Sequence, residues 1–159
     1  MAVKGQSIAR ALNDRLTEEG LKRIIVSTSP YPRSYINELP PEILALKIAA
    51  ARPQNMSRGG RVVARKSAPP TVRHKKFWKR VTREIHIFLC TNDKKYADLR
   101  NDLRRQTTKG ASQMVLVGML SVGIAPYLGT GLGMITPIVA TFLLIVLRMG
   151  VNAYCAGRR

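Results

Sequence analysis

The sequence predicts a mainly α-helical protein: a small basic N-terminal helical region, then a C-terminal hydrophobic hairpin of two helices, read as transmembrane. Three observations lead there. Apolar residues recur at helical spacing through the first 110 residues. Charge is confined to the same part: the 159-residue chain has 27 Lys+Arg and 9 Asp+Glu, and beyond residue 110 it keeps three arginines and no acid. Residues 111–147 then run for 37 positions without a charge, well past the roughly 20 that one bilayer crossing needs. Four stretches follow: a helical segment at 1–51, a basic linker or arm at 52–76, amphipathic helices at 77–110 and the hairpin at 111–157.

Over residues 6–19, Ile8, Leu12 and Leu16 recur every four positions, one stripe of a short helix that Gly20 is expected to stop. Residues 21–28 contain the β-branched run Ile24, Ile25, Val26, which suits a strand or a second short helix. Pro30, Pro32, Pro40 and Pro41 break the next stretch into extended pieces. A helix over 42–51, with Pro41 in its first turn, carries Ile43, Leu44, Leu46 and Ile48, and Pro53 ends it. Residues 52–83 hold eleven Lys/Arg and no acid, interrupted by Gly59, Gly60, Pro69 and Pro70. That composition belongs to an arm that orders on a partner.

Order is expected to return at Phe77, because Phe77, Val81, Ile85 and Phe88 share one helical face. A strand through Ile85, Ile87 and Leu89 explains fewer positions. Thr91 and Asp93 are candidate caps for a helix turning Tyr96, Leu99 and Leu103 inward and Lys94, Asp98, Asp102 and Arg105 outward.

Within the uncharged stretch, Pro126, Gly129, Gly131, Gly133 and Pro137 mark a turn. One helix then runs over about 111–127, and the other from 131 or 136 to 154. Both are apolar around their circumference. Ala111, Gly118, Ser121 and Ala125 on the first, with Thr136 and Ala140 on the second, form a small-residue seam suited to helix packing in lipid. Lys109, Arg148, Arg158 and Arg159 flank the pair as membrane-interface residues. Basic flanks at both outer ends place both termini on the cytoplasmic face. Length is the constraint: a second helix starting at Pro137 leaves 11 residues before Arg148. An arginine at the bilayer centre costs at least about 2.5 kcal/mol. A start near Gly131, a shallow re-entrant hairpin, or enclosure of the hairpin by protein each removes that cost.

The cluster Arg73, Lys75, Lys76, Trp78, Lys79, Arg80 and Arg83 is the candidate basic surface. Near an anionic leaflet each cation contributes on the order of 1 kcal/mol; the same cations suit nucleic-acid phosphates, and Trp78 suits a bilayer interface or a base stack. The glycines at 129, 131 and 133 match neither a dinucleotide fingerprint nor a phosphate loop. His86 and Cys90 are two ligands, short of a metal site, and no nucleophile stands beside a base. The two cysteines, Cys90 and Cys155, make no disulfide framework, and a reducing compartment is the default. No catalytic, cofactor-binding or metal-ligating set is expected.

The expectation is therefore a non-enzymatic membrane protein. Its hairpin anchors in or perturbs the bilayer, while the basic region engages an acidic partner. In architecture alone it resembles the layout of small membrane effectors in bacterial toxin and antiphage systems. The expected partners are anionic membrane lipid, a second copy through the hairpin, nucleic acid or another protein. The alternative is a soluble nucleic-acid-binding protein, or a basic subunit of a larger complex, with the hairpin buried.

Overall fold

A computed structural model describes residues 4–40, 43–44, 47–48, 72–129 and 132–157. Pro41, the arm over 52–71, Arg158 and Arg159 lie outside the described residues. The elements are α1 (Lys4–Arg15), α2 (Glu18–Thr28), α3 (Arg33–Glu38), α4 (Val72–Cys90), a 3-10 turn (Lys94–Tyr96), α5 (Ala97–Thr108), α6 (Gln113–Leu128), α7 (Leu132–Met149) and α8 (Val151–Ala156). Ile43, Leu44, Lys47 and Ile48 are helical as well. Among the described residues there is no strand, so the chain is mainly α.

The stripes read from the sequence do face inward. Ile8, Leu12 and Leu16 are buried, as are Val81, Ile85 and Phe88, while Phe77 packs half-buried at the edge of the same core. Helical order begins at Val72, five residues before the expected start. Gly20 does not stop a helix; it sits in the first turn of α2. Thr17 supplies the cap, its hydroxyl accepting the Gly20 amide at 3.1 Å, and Glu18 and Glu19 complement the helix dipole. The Gln113 carboxamide lies where a Cβ at residue 20 would be, so the glycine is there for a close approach. The run Ile24, Ile25, Val26 is helical, with Ile24 and Ile25 buried.

The centre of the molecule is α7. Ile135, Ile138, Val139, Ala140, Thr141, Phe142, Leu143, Leu144, Ile145 and Val146 are all buried on successive faces of one helix. The helix with the most extensive contact to it is α2, and α6 covers a second side. Helices α1 and α4 pack together beside them, and α8 folds back against α1, α4 and α7. Buried hydroxyls are satisfied within their own helices: Ser121 donates to the Val117 carbonyl, Thr141 to Pro137 and Thr107 to Leu103, each at 2.7 Å. The α6–α7 turn falls where the glycines predict it, with Gly129 ending α6 in the left-handed conformation at φ 67°.

The transmembrane hairpin is not the arrangement found. Among the described residues no helix is long and apolar enough to cross a membrane. Helix α6 has 16 residues and α7 has 18, about 24 and 27 Å at 1.5 Å per residue, against a hydrocarbon layer of roughly 30 Å. The physical reason lies in the packing: the apolar circumference of α7 is covered by this chain's own helices, and Arg148 at its end meets a carboxylate on α2.

Two ties hold α4 in place, and the sequence announced neither. Arg100, buried on α5, donates from Nε to the Phe88 carbonyl at 3.0 Å, from one terminal nitrogen to Ile87 at 3.0 Å and from the other to Asp93 at 2.8 Å. One guanidinium thus occupies two of the carbonyls that end α4, together with that of Asp93 just beyond it. Burial pushes its pKa down, and the charge of Asp93 opposes that. The second tie corrects the expectation for the cysteines: Cys90 and Cys155, 65 residues apart, form a disulfide joining α4 to α8. Beside it Tyr154 donates to the Thr82 carbonyl at 3.2 Å.

Closing a loop of that length restricts the unfolded chain and stabilises the fold by about 2–4 kcal/mol. Replacing both cysteines by serine is expected to lower the free energy of unfolding by that amount, read as a shift in the guanidinium denaturation midpoint. Reductant should reproduce the shift in the native chain and leave the double variant unchanged.

Candidate functional site

On α4 one side is given to packing and the other to charge. Trp78, Thr82, His86 and Cys90, each four residues on, turn toward α7 and α8. Trp78 lies 5.6 Å from the Phe142 ring, and His86 lies 5.9 Å from the Tyr154 ring. Lys76, Lys79, Arg80 and Arg83 are exposed on the remaining surface. Arg73 and Lys75 are on the same helix, and their side chains lie outside the described ones. Four of the cations are therefore exposed on one helix, while Trp78 is half-buried against the core rather than free to stack or insert.

The small-residue seam is only partly an interface. Ser121, Ala125 and Ala140 are buried, Ala111 and Thr136 are half-buried, and a Cβ at Gly118 would meet nothing within 4 Å. The close approach on α6 is made instead by Gly123, where a Cβ would fall 2.5 Å from a methyl of Leu99. Lys109 is exposed just before α6. Spacing alone could not separate the two glycines, since both lie in a helix that is apolar on every side.

Arg148, expected at a membrane interface, bonds Glu18 of α2. Lys22 bonds the same carboxylate at 3.0 Å, and Glu19 bonds Arg33 at 2.8 Å. The Glu18–Arg148 pair forms a charged clasp across the α2–α7 contact, Lys22 supports it from α2, and Glu19–Arg33 ties α2 to α3. Hydrogen bonds from Arg148, then Lys22, hold the Glu18 carboxyl down at about 2, from an ordinary 4.5. A second cluster joins α4 to the end of α6. Glu84 accepts from Tyr96 and from Lys95, both at 2.6 Å, and the Lys95 ammonium sits 3.5 Å from the centre of the Tyr127 ring. Burial, then the bond to Glu84, pushes the Tyr96 hydroxyl far up. Spacing gives a signal only for Lys22 with Glu18 and Glu19, four and three apart on one helix; the ties between helices are made by tertiary packing.

Among the described residues no group of three or more His, Cys, Asp or Glu could hold a metal ion. The His86–Cys90 pair is used structurally, Cys90 in its disulfide and His86 against Tyr154. A groove of about 500 Å³ lies between α2 and α6, lined by Thr17, Gly20, Arg23, Ile24, Gln113 and Met114 among others. Its lining also includes Ser27 and Glu19; the Ser27 hydroxyl donates to the Ile24 carbonyl at 2.9 Å and the Glu19 carboxylate is bonded to Arg33.

The clasp sets a pH dependence. Because folding lowers the Glu18 pKa, its contribution is complete above 4.5 and fades as pH falls toward about 2. Both side chains are roughly two-fifths exposed, at 42% and 41%, so screening limits the ion pair to about 1 kcal/mol or less. Between those pH values the melting temperature of Glu18→Gln is expected to fall less than that of the native chain, and the two curves should converge at the acid end. No protein-family model matches this chain, and no curated protein and no solved structure is found similar to it.

Proposed function

We propose that this protein acts at an anionic membrane without catalysing a reaction. Its basic helices are held to acidic headgroups, and the α6–α7 hairpin is its membrane-directed element. One observation carries the reading: within a chain of net charge +18, the exposed cations Lys76, Lys79, Arg80 and Arg83 accompany a hairpin that has no charge for 37 residues. Cations of that number near an acidic leaflet hold a segment down. In the closed form α7 is sheathed by α2, and the Glu18–Arg148 clasp closes the sheath. Opening it would free the hairpin to anchor in or perturb the bilayer, as in the layout of a toxin-like or antiphage effector. The basic ends then stay on the cytoplasmic side. Against that side stands the Cys90–Cys155 bond, which the reducing cytosol breaks and oxidising compartments keep.

The full chain is expected to float with vesicles of phosphatidylglycerol and phosphatidylcholine at about 50 mM salt, and to release an entrapped dye from them. It should stay behind when phosphatidylcholine is used alone. Equal recovery on both vesicle types removes the charge-based reading, and binding without leakage removes the perturbation.

The enclosure of α7 favours a second reading: α7 is the core of a nucleic-acid-binding protein, or of a basic subunit in a larger complex. It predicts detergent-free binding to duplex DNA or RNA that is lost steeply between about 50 and 200 mM salt, in a protein that ignores vesicles.

A further inference from the structure

Helix α6 is covered on one side and open on the other. Leu116, Val117, Leu120 and Ile124 are buried. Opposite them Val115, Gly118, Val122 and Pro126, spaced three, four and four, run along the outside. Val115 is 45% and Val122 57% exposed, Pro126 is exposed, and nothing stands within 4 Å of a Cβ at Gly118. Met114 and Tyr127, each 46% exposed, stand at the two ends. A stripe this long and apolar on so charged a chain marks an interaction surface.

We infer that this outer face of α6 docks on an anionic bilayer, lying in the plane of the headgroup–acyl boundary instead of crossing it. The inference rests on the membrane reading above and names the surface responsible. Length supports lying flat: 16 residues reach about 24 Å, short of the roughly 30 Å hydrocarbon layer. The charges around the stripe choose the occupant. At its start are the exposed Lys109 and Arg23, the latter lining the groove that holds Met114. At its finish the Lys95 ammonium caps the Tyr127 ring, with Glu84 as its counter-ion. Glu19, beside Arg23 in the groove, is engaged by Arg33 and Lys22. Cations flanking an apolar strip, with a tyrosine at one end, suit the boundary between headgroups and acyl chains. A second copy would bring another +18 against the same cations, whereas acidic headgroups neutralise them.

Gly118 offers the test, because no neighbour resists a side chain there. On phosphatidylglycerol–phosphatidylcholine vesicles at about 200 mM salt, Gly118→Leu is expected to strengthen partitioning about tenfold and Gly118→Glu to weaken it about tenfold. Circular dichroism should show both variants folded as the native chain. In a Val122→Trp variant, lipids brominated near the headgroup should quench the added fluorescence more than lipids brominated near the chain ends. If the native chain fails to bind at about 50 mM salt, the membrane reading itself falls. If it binds but the two Gly118 variants match it, only the assignment to α6 falls. Stronger quenching from the deep lipids overturns the in-plane orientation. A lipid-free dimer that Gly118→Glu dissociates makes a second copy the occupant and overturns the inference.

Discussion

A helix with no polar side must be surrounded, either by lipid or by protein. Helix α7 is such a helix, and in this structure protein surrounds it. That requirement explains the placing of the others. Helix α2 turns Leu21, Ile24 and Ile25 inward and lies along α7, α6 covers another side, and α8 doubles back beneath. The charged groups then sort themselves by what remains outside. Arg148 ends an apolar run and reaches Glu18 at the surface rather than being drawn inside.

Much of the helical framework was legible because it rests on short-range rules. Four-residue spacing found the inner faces at Ile8, Leu12 and Leu16 and at Val81, Ile85 and Phe88. Turn chemistry found the α6–α7 connection at Gly129. The surroundings of the hairpin were not legible. Hydropathy reports that residues 111–147 avoid water, and a bilayer and a protein interior satisfy that equally. Only the length of each helix separated the two, and of the two starts open to the second helix, 131 and 136, the structure takes the earlier, at Leu132.

The remaining surprises all involve partners distant in sequence. Glu18 and Arg148 are 130 residues apart, and Cys90 and Cys155 are 65 apart; no local pattern links either pair. Nothing in the sequence distinguishes Arg100 from the other cations of a basic chain. It is buried because two carbonyls at the end of α4 and that of Asp93 beyond it replace the water it gives up. Gly20 and Gly118 were misplaced for a related reason. A glycine's role depends on what approaches it: Gln113 approaches Gly20, and nothing approaches Gly118.

The Cys90–Cys155 link has a topological consequence. It closes a covalent ring that runs from the end of α4 through α5, α6 and α7 to α8. Helices α1, α2 and α3, and α4 up to Cys90, lie outside that ring, so they can peel away with every covalent bond intact. The two ends of the hairpin segment stay stitched together throughout. Whatever α7 dissolves in after such an opening, the two ends of the ring remain on one side, and α7 can pass through to the far side only if another part of the ring passes back.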